Sequence, residues 1–169
     1  MELTEGIETR RSIRRYTTEP VSDDMVRRML ELAMYAPSAQ NQQPWHFIVV
    51  SDRAVMLRIM EHHPFATMLR EAARAIIVCG DIRQAKRPDY WPVDCSAATQ
   101  NLLLAAHGLG LGAVWMGVYP MTERMDALTM LFKLPEGVYP FAVVAVGHPA
   151  EKPPQPKRFR EERVHYGRW

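Results

Sequence analysis

The apolar residues of this chain fall into two periods. Behind Ser22, a hydroxyl suited to capping a helix, Met25, Val26, Met29, Leu30, Leu32, Ala33 and Ala36 recur at helical spacing. Asp23 and Asp24 sit where the helix dipole favours negative charge. Asp52 opens a second such run, with Val55, Ile59 and Met60 on its inner side, and His62-His63-Pro64 closes it. Residues 66–73 predict a short helix, and Thr122 is expected to cap another that runs to Phe132. The longest helical pattern, 94–109, is apolar nearly all round, which predicts burial on several sides, at the centre of the molecule or in a subunit interface. Strand character appears at 46–51, 75–80, 113–117 and 139–147, and the unbroken apolar run at 75–80 predicts a strand covered on both faces. Helices interleaved with four strands predict an α/β or α+β sandwich.

The segments outside these periods carry the chemistry. Residues 36–47 read Ala-Pro-Ser-Ala-Gln-Asn-Gln-Gln-Pro-Trp-His-Phe, an amide-dense crossing from helix to strand bracketed by Pro37 and Pro44. Loops on rigid elements are where binding groups concentrate. Residues 10–15 hold four arginines in six positions, with Ser12 among them. Such a field suits phosphate oxygens, which guanidinium grips with two N–H groups; an exposed basic helix end is the other reading. Residues 82–92 form a polar and aromatic connection whose Tyr90 and Trp91 either pack locally or cover a site. Gly108-Leu-Gly-Leu-Gly112 follows a helix and precedes a strand, the reverse of a dinucleotide fingerprint, so it reads as a helix C-cap and a tight lead into the strand.

Composition narrows the class. At 169 residues, 47% apolar and 24% charged, the chain fits one globular domain. Its net charge of +2 is too small to point to nucleic acid or to a membrane surface. Cys79 and Cys95 form no metal or redox spacing, and Cys79 reads as a small core residue. The absence of a signal peptide or a membrane-length apolar run makes the cytoplasm the expected compartment. From His148 the chain turns to proline and charge, extended and without a core of its own, yet it ends in Trp169, which is expected to dock on something.

Four motifs in order resemble the nitroreductase-like family of flavin oxidoreductases over essentially the whole chain. They are Arg10-Arg-Ser-Ile-Arg14; Ala36-Pro-Ser-Ala-Gln-Asn-Gln-Gln-Pro-Trp45; Gln100 to Gly112 with Trp115-Met-Gly117; and Gly147-His-Pro-Ala-Glu-Lys-Pro153 with the tail to Tyr166. The resemblance implies an α+β fold, an α/β/α sandwich around a mostly antiparallel mixed sheet. It implies a homodimer in which residues 1–147 form the FMN-binding domain and residues 148–169 form an arm exchanged with the partner. Arg10, Arg11, Ser12 and Arg14 would hold the phosphate, ribityl chain and pyrimidine edge. Pro37, Ser38, Ala39 and Asn41 would come from the other subunit. Trp115, Met116 and Gly117 would line the ring, and Lys157 and Arg158 would close on the phosphate. Larger members draw further polar contacts from the segment before the second strand; here 62–68 holds no Asn or Lys.

The activity implied is hydride transfer from NADH or NADPH through FMN to a nitroaromatic, quinone or similar small acceptor, with ping-pong kinetics and no catalytic side chain. Arg14 is the candidate for stabilising the reduced flavin. A flavin-binding carrier or sensor would keep the phosphate residues and block the ring face. A nucleic-acid arm at 152–168 is a third reading, opposed by the near-neutral charge.

Overall fold

The computed structural model describes residues 2–169. Four strands, β1 (Trp45–Val50), β2 (Arg74–Asp81), β3 (Gly112–Gly117) and β4 (Val138–Gly147), pair antiparallel in the order β1-β2-β4-β3. The inner strands β2 and β4 are buried almost throughout, as their unbroken apolar runs require. Side chains alternate across the sheet. Ile76, Val78, Val144 and Val146 meet α2 (Asp23–Ala33) and α4 (Trp91–Gly108) on one face, while Ile77, Cys79, Val143 and Ala145 meet α3 (Arg53–His62) and α5 (Thr122–Phe132) on the other. This is the expected sandwich. Among the described residues the one parallel feature is a bridge from Ser12 to Ala113 that lays residues 12–13 along the outer edge of β3.

Local chemistry explains most boundaries. Ser22 Oγ accepts from the Met25 amide at 3.3 Å, and Asp52 Oδ1 accepts from the Ala54 amide at 2.7 Å. Three expectations need correction. Thr122 lies inside α5, whose N-cap is Met121, so its hydroxyl caps nothing. The helix expected at 66–73 is a 3₁₀ turn, Thr67–Arg70. And α4 starts three residues earlier than its apolar pattern, at Trp91, because Pro92 suits a first helical turn. Trp91 is therefore core rather than cover, stacked on Tyr139 and edge-on to Tyr119 and Phe141.

Two glycines decide where the arginine-rich segment lies. Gly112 and Gly147 face each other across β3 and β4. A Cβ on Gly112 would fall 2.7 Å from the Ile13 side chain, and one on Gly147 would fall 2.8 Å from the Tyr16 ring. The paired bare positions receive those two side chains, so Gly112 serves close approach more than the turn expected of it. The Tyr16 hydroxyl donates back to Ile13 O at 2.6 Å, closing residues 13–16 into an arch. The α-helix α1 (Leu3–Thr9) leads into this segment.

The terminal arm is pinned only at its root. Tyr16 bridges Pro149, the Thr17 amide donates to His148 O, and the Ala150 amide donates to Arg15 O. Beyond Pro154 every residue is exposed, including Phe159, Tyr166 and Trp169.

Candidate functional site

The four arginines divide two and two. Arg11 donates from all three guanidinium nitrogens to carbonyls: Arg10 O, Glu8 O and Pro154 O. It neutralises the last carbonyls of α1 and ties the arm to it, which is the basic helix-end role. Arg15 turns to Glu71, with Nε 3.1 Å from Oε2. Arg10 and Arg14, like Lys157 and Arg158, make no ion pair among the described residues. Burial holds the Arg10 pKa below its ordinary value, and the charges of Arg158 and Arg11 beside it add to the effect.

Two carboxylates set this geometry by accepting from backbone. Glu151 Oε1 takes the amides of Arg14 and Arg15 at 2.5 and 3.1 Å, and Glu71 Oε2 takes that of Tyr16 at 3.2 Å. The arch amides are thereby satisfied. Neither carboxylate reaches the Arg14 guanidinium. Upstream, the Thr9 hydroxyl donates to Glu5 O, so it accepts from His107 Nε2–H at 2.8 Å and fastens the segment to the last turn of α4. The segment then parts its side chains between two cavities. Thr9, Arg11 and Ile13 line one of about 490 Å³ under the arm root, and Arg14 lines another of about 380 Å³ beside the end of β3.

That second cavity brings Arg14 together with Trp115, Met116 and Gly117. Its lining includes Arg124, His63 and Thr67 and has no carboxylate. His63 Nε2 donates to Gly117 O at 2.8 Å, and Arg124 Nη1 donates to the same oxygen at 2.9 Å. The backbone at the end of β3 is thus clamped from two elements. His63 is buried, its Nδ1 has no partner, and desolvation chiefly holds its pKa below the ordinary value, so it is neutral here. Sequence reasoning missed both residues. His63 reads only as a helix terminator before Pro64, and nothing near Arg124 in the chain marks it. Where Asn or Lys was sought between 62 and 68, the cavity is lined by His63 and Thr67, with Arg124 from α5.

The amide-rich loop lies elsewhere. The Ala39 amide donates to Asp94 Oδ1 at 2.8 Å, and Gln42 Nε2 donates to Asp94 Oδ2 at 2.7 Å. Ser38 Oγ accepts from the Gln43 amide, and Gln43 Nε2 donates to Asn41 Oδ1. Gln40, Asn41 and Gln43 have φ of 51°, 54° and 49°, so three non-glycine residues occupy the left-handed region. The loop is fixed to the first turn of α4 and the arginine segment to the last. Thirteen residues separate Asp94 from His107, or about 20 Å of helix. One chain therefore holds Arg10 and Ser12 toward the His107 end of α4 and Pro37, Ser38, Ala39 and Asn41 at its Asp94 end, while β3 runs back between them so that Trp115 meets Phe141, which Trp91 also touches.

An antiparallel sheet between two helical layers matches solved structures of nitroreductase-type folds. A model of the nitroreductase family matches residues 7–78 and 63–148, and the chain belongs to that family. It is 47% identical over its full length to 88% of a Methanothermobacter thermautotrophicus protein named "Putative NADH dehydrogenase/NAD(P)H nitroreductase". A crystal structure of a protein of that name from Bacteroides thetaiotaomicron superposes with a TM-score of 0.93 at 40% identity, over 98% of this chain and 97% of that one. A structure of a "putative nitroreductase in complex with fmn" from Desulfovibrio desulfuricans gives 0.85 at 35% identity, over 97% of this chain and 95% of that one.

Proposed function

We propose that this chain is an FMN-dependent NAD(P)H oxidoreductase working as a cytoplasmic homodimer. When bound, the flavin would carry hydride from NADH or NADPH to a nitroaromatic, quinone or similar flat acceptor, donor and acceptor using one pocket in turn. The observation that carries this reading is the pair Arg10 and Arg158. Burial, and then the nearby charge of Arg158, hold the Arg10 guanidinium below its ordinary pKa, and neither arginine has an ion-pair partner among the described residues, which suits a doubly charged phosphate.

The chain's own residues would act as follows. Arg10, Ser12 and Arg158, with Lys157, hold the phosphate end. Trp115, Met116 and Gly117 support the ring, on backbone that His63 and Arg124 fix. Arg14 and Arg124 supply positive charge in a carboxylate-free cavity, where reduction would place negative charge. Arg11, consumed by three carbonyls, is assigned to structure instead. No side chain needs to move a proton.

Pro37, Ser38, Ala39 and Asn41 would reach the flavin from a second copy. Two α4 helices packed antiparallel would set the Asp94 end of one beside the His107 end of the other. The uncovered apolar residues Leu3, Tyr35 and Val93 support such packing, as does an arm whose Phe159 and Trp169 find no cover in their own chain. Among the described residues no helix is long and apolar enough to cross a membrane.

Absorbance of the purified protein tests the reading. We expect a yellow protein that NADH or NADPH bleaches under nitrogen and that a quinone restores. A yellow protein reduced by neither donor would be a carrier or sensor, and one that takes up no FMN is not a flavoprotein.

A further inference from the structure

Asp94 is a nearly fully buried carboxylate, 3% exposed, to which the flavin chemistry assigns no role. Both of its oxygens are occupied by donors from the amide loop. The Gln42 side chain that reaches it also bonds the backbone of residue 87 twice: Nε2 donates to Arg87 O, and Oε1 accepts from the Arg87 amide, each at 3.0 Å. This fixes which way the Gln42 amide faces. Turning it over would set two donors against each other at the Arg87 amide and two acceptors at the Arg87 carbonyl. With Gln42 so oriented, only an acceptor can stand at the Asp94 position.

We infer that Asp94 and Gln42 are positioning residues that hold the left-handed backbone of residues 40–43 in its binding shape and tie it to the 82–90 segment. This rests on the proposal that the loop serves a flavin site. A loop with three non-glycine residues at positive φ does not keep that shape unless its surroundings impose it. Ser38 and Asn41 bond only within the loop, so they cannot fix it to the body. The Asp94 carboxylate, on the rigid first turn of α4, does so through one backbone and one side-chain donor. Gln42 carries the restraint on to residue 87, where the Arg87 guanidinium lies 5.0 Å over the exposed Tyr90 ring. A displacement of the 82–90 segment would then be felt at Ala39 and Asn41.

The test uses the full chain and two readouts, amide hydrogen exchange without flavin and FMN titration with visible circular dichroism of the bound form. Asp94→Asn keeps the size but places an N–H₂ group against a donor. We expect faster exchange at residues 39–43 and in the 82–90 segment, FMN affinity lower by about tenfold or more, and an altered dichroism band at saturation. Adding Gln42→Glu to Asp94→Asn restores a donor–acceptor pair between the two side chains but sets an oxygen against the Arg87 carbonyl. Exchange at residues 39–43 and FMN affinity should then recover in part while the 82–90 segment stays fast, a split that general loosening of the fold would not give. Gln42→Met, at a half-buried site, gives the same exchange signature if Asp94→Asn fails to fold. Unchanged exchange in Asp94→Asn, or in Gln42→Met if Asp94→Asn does not fold, or a double variant no better than Asp94→Asn overturns the inference. Faster exchange in a chain whose parent binds no FMN upholds the positioning and rejects the flavin reading instead.

Discussion

The arch at 13–16 and the loop at 37–43 are both irregular, and both belong to the proposed site, yet they are built on opposite plans. In the arch, carboxylates accept from the backbone, so that a guanidinium faces outward with no counter-charge. In the loop, side chains bond one another and Asp94, so that what remains for a ligand is mainly shape. The arch places charge and the loop places a surface. Charge tolerates small displacements, because its field falls off gradually; a surface does not. The loop accordingly carries the backbone strain and depends on a buried anchor, while the arch rests on side chains seated over glycine.

The sharpest way to break this contrast is to remove charge. Arg10→Ala with Arg158→Ala should weaken FMN binding by about a hundredfold, the worth of two charge-assisted contacts; a loss under threefold would show that the phosphate lies elsewhere. Next is complementation. Arg10→Ala and Asn41→Ala chains should each bind flavin poorly alone. Refolded together in equal amounts, they should regain one normal site per heterodimer, or about one per two dimers overall, because one site of each heterodimer combines both intact halves. Mixed material that binds no better than its parents would place both regions in one chain's own site. Arg11→Ala should leave FMN affinity within about twofold and cost about 1–3 kcal/mol of stability in chemical denaturation, since its partners are carbonyls.

The smallest effect concerns pH. Burial lowers the His63 pKa, so near the ordinary value of 6.5 the unfolded chain binds a proton that the folded one refuses. Stability from this source is complete above pH 6.5 and falls as pH drops below it; His107, lowered mainly by burial as well, has the same sign. His63→Gln should flatten that slope in urea midpoints measured from pH 7 to 5, and an unaltered slope would assign it to other groups.

How much of this was legible in the sequence differs between the two regions. Period and capping located every strand and most helices, because Ser22, Asp52 and the unbroken apolar run of β2 act within a few residues of themselves. The arginine cluster offered either a phosphate site or a basic helix end, and nothing in its spacing separates Arg10 and Arg14 from Arg11 and Arg15. That division depends on Glu71, Glu151 and Pro154, which arrive from far along the chain. The loop was marked by its amides and prolines, whereas Asp94 resembled an ordinary first-turn acid of an apolar helix. His63 and Arg124 meet on one carbonyl oxygen at residue 117, a fact of tertiary structure with no local trace. Trp91 was read with the connection because Pro92 reads as a breaker unless it lies in a helix's first turn.

The glycine pair at 112 and 147 has a consequence for how this region can vary. It gives Ile13 and Tyr16 two fixed seats, and the Tyr16 hydroxyl spans the interval between them. The distance between the seats is set by the sheet, so the number of residues joining them is set as well. Arg14 and Arg15 can be exchanged for other side chains with the arch still closed. One inserted or deleted residue would unseat an anchor and turn the guanidinium away from its cavity. Drift at this edge of the molecule is therefore free in identity and rigid in count, and a tolerated insertion near the amino terminus belongs before Thr9, outside the measured interval.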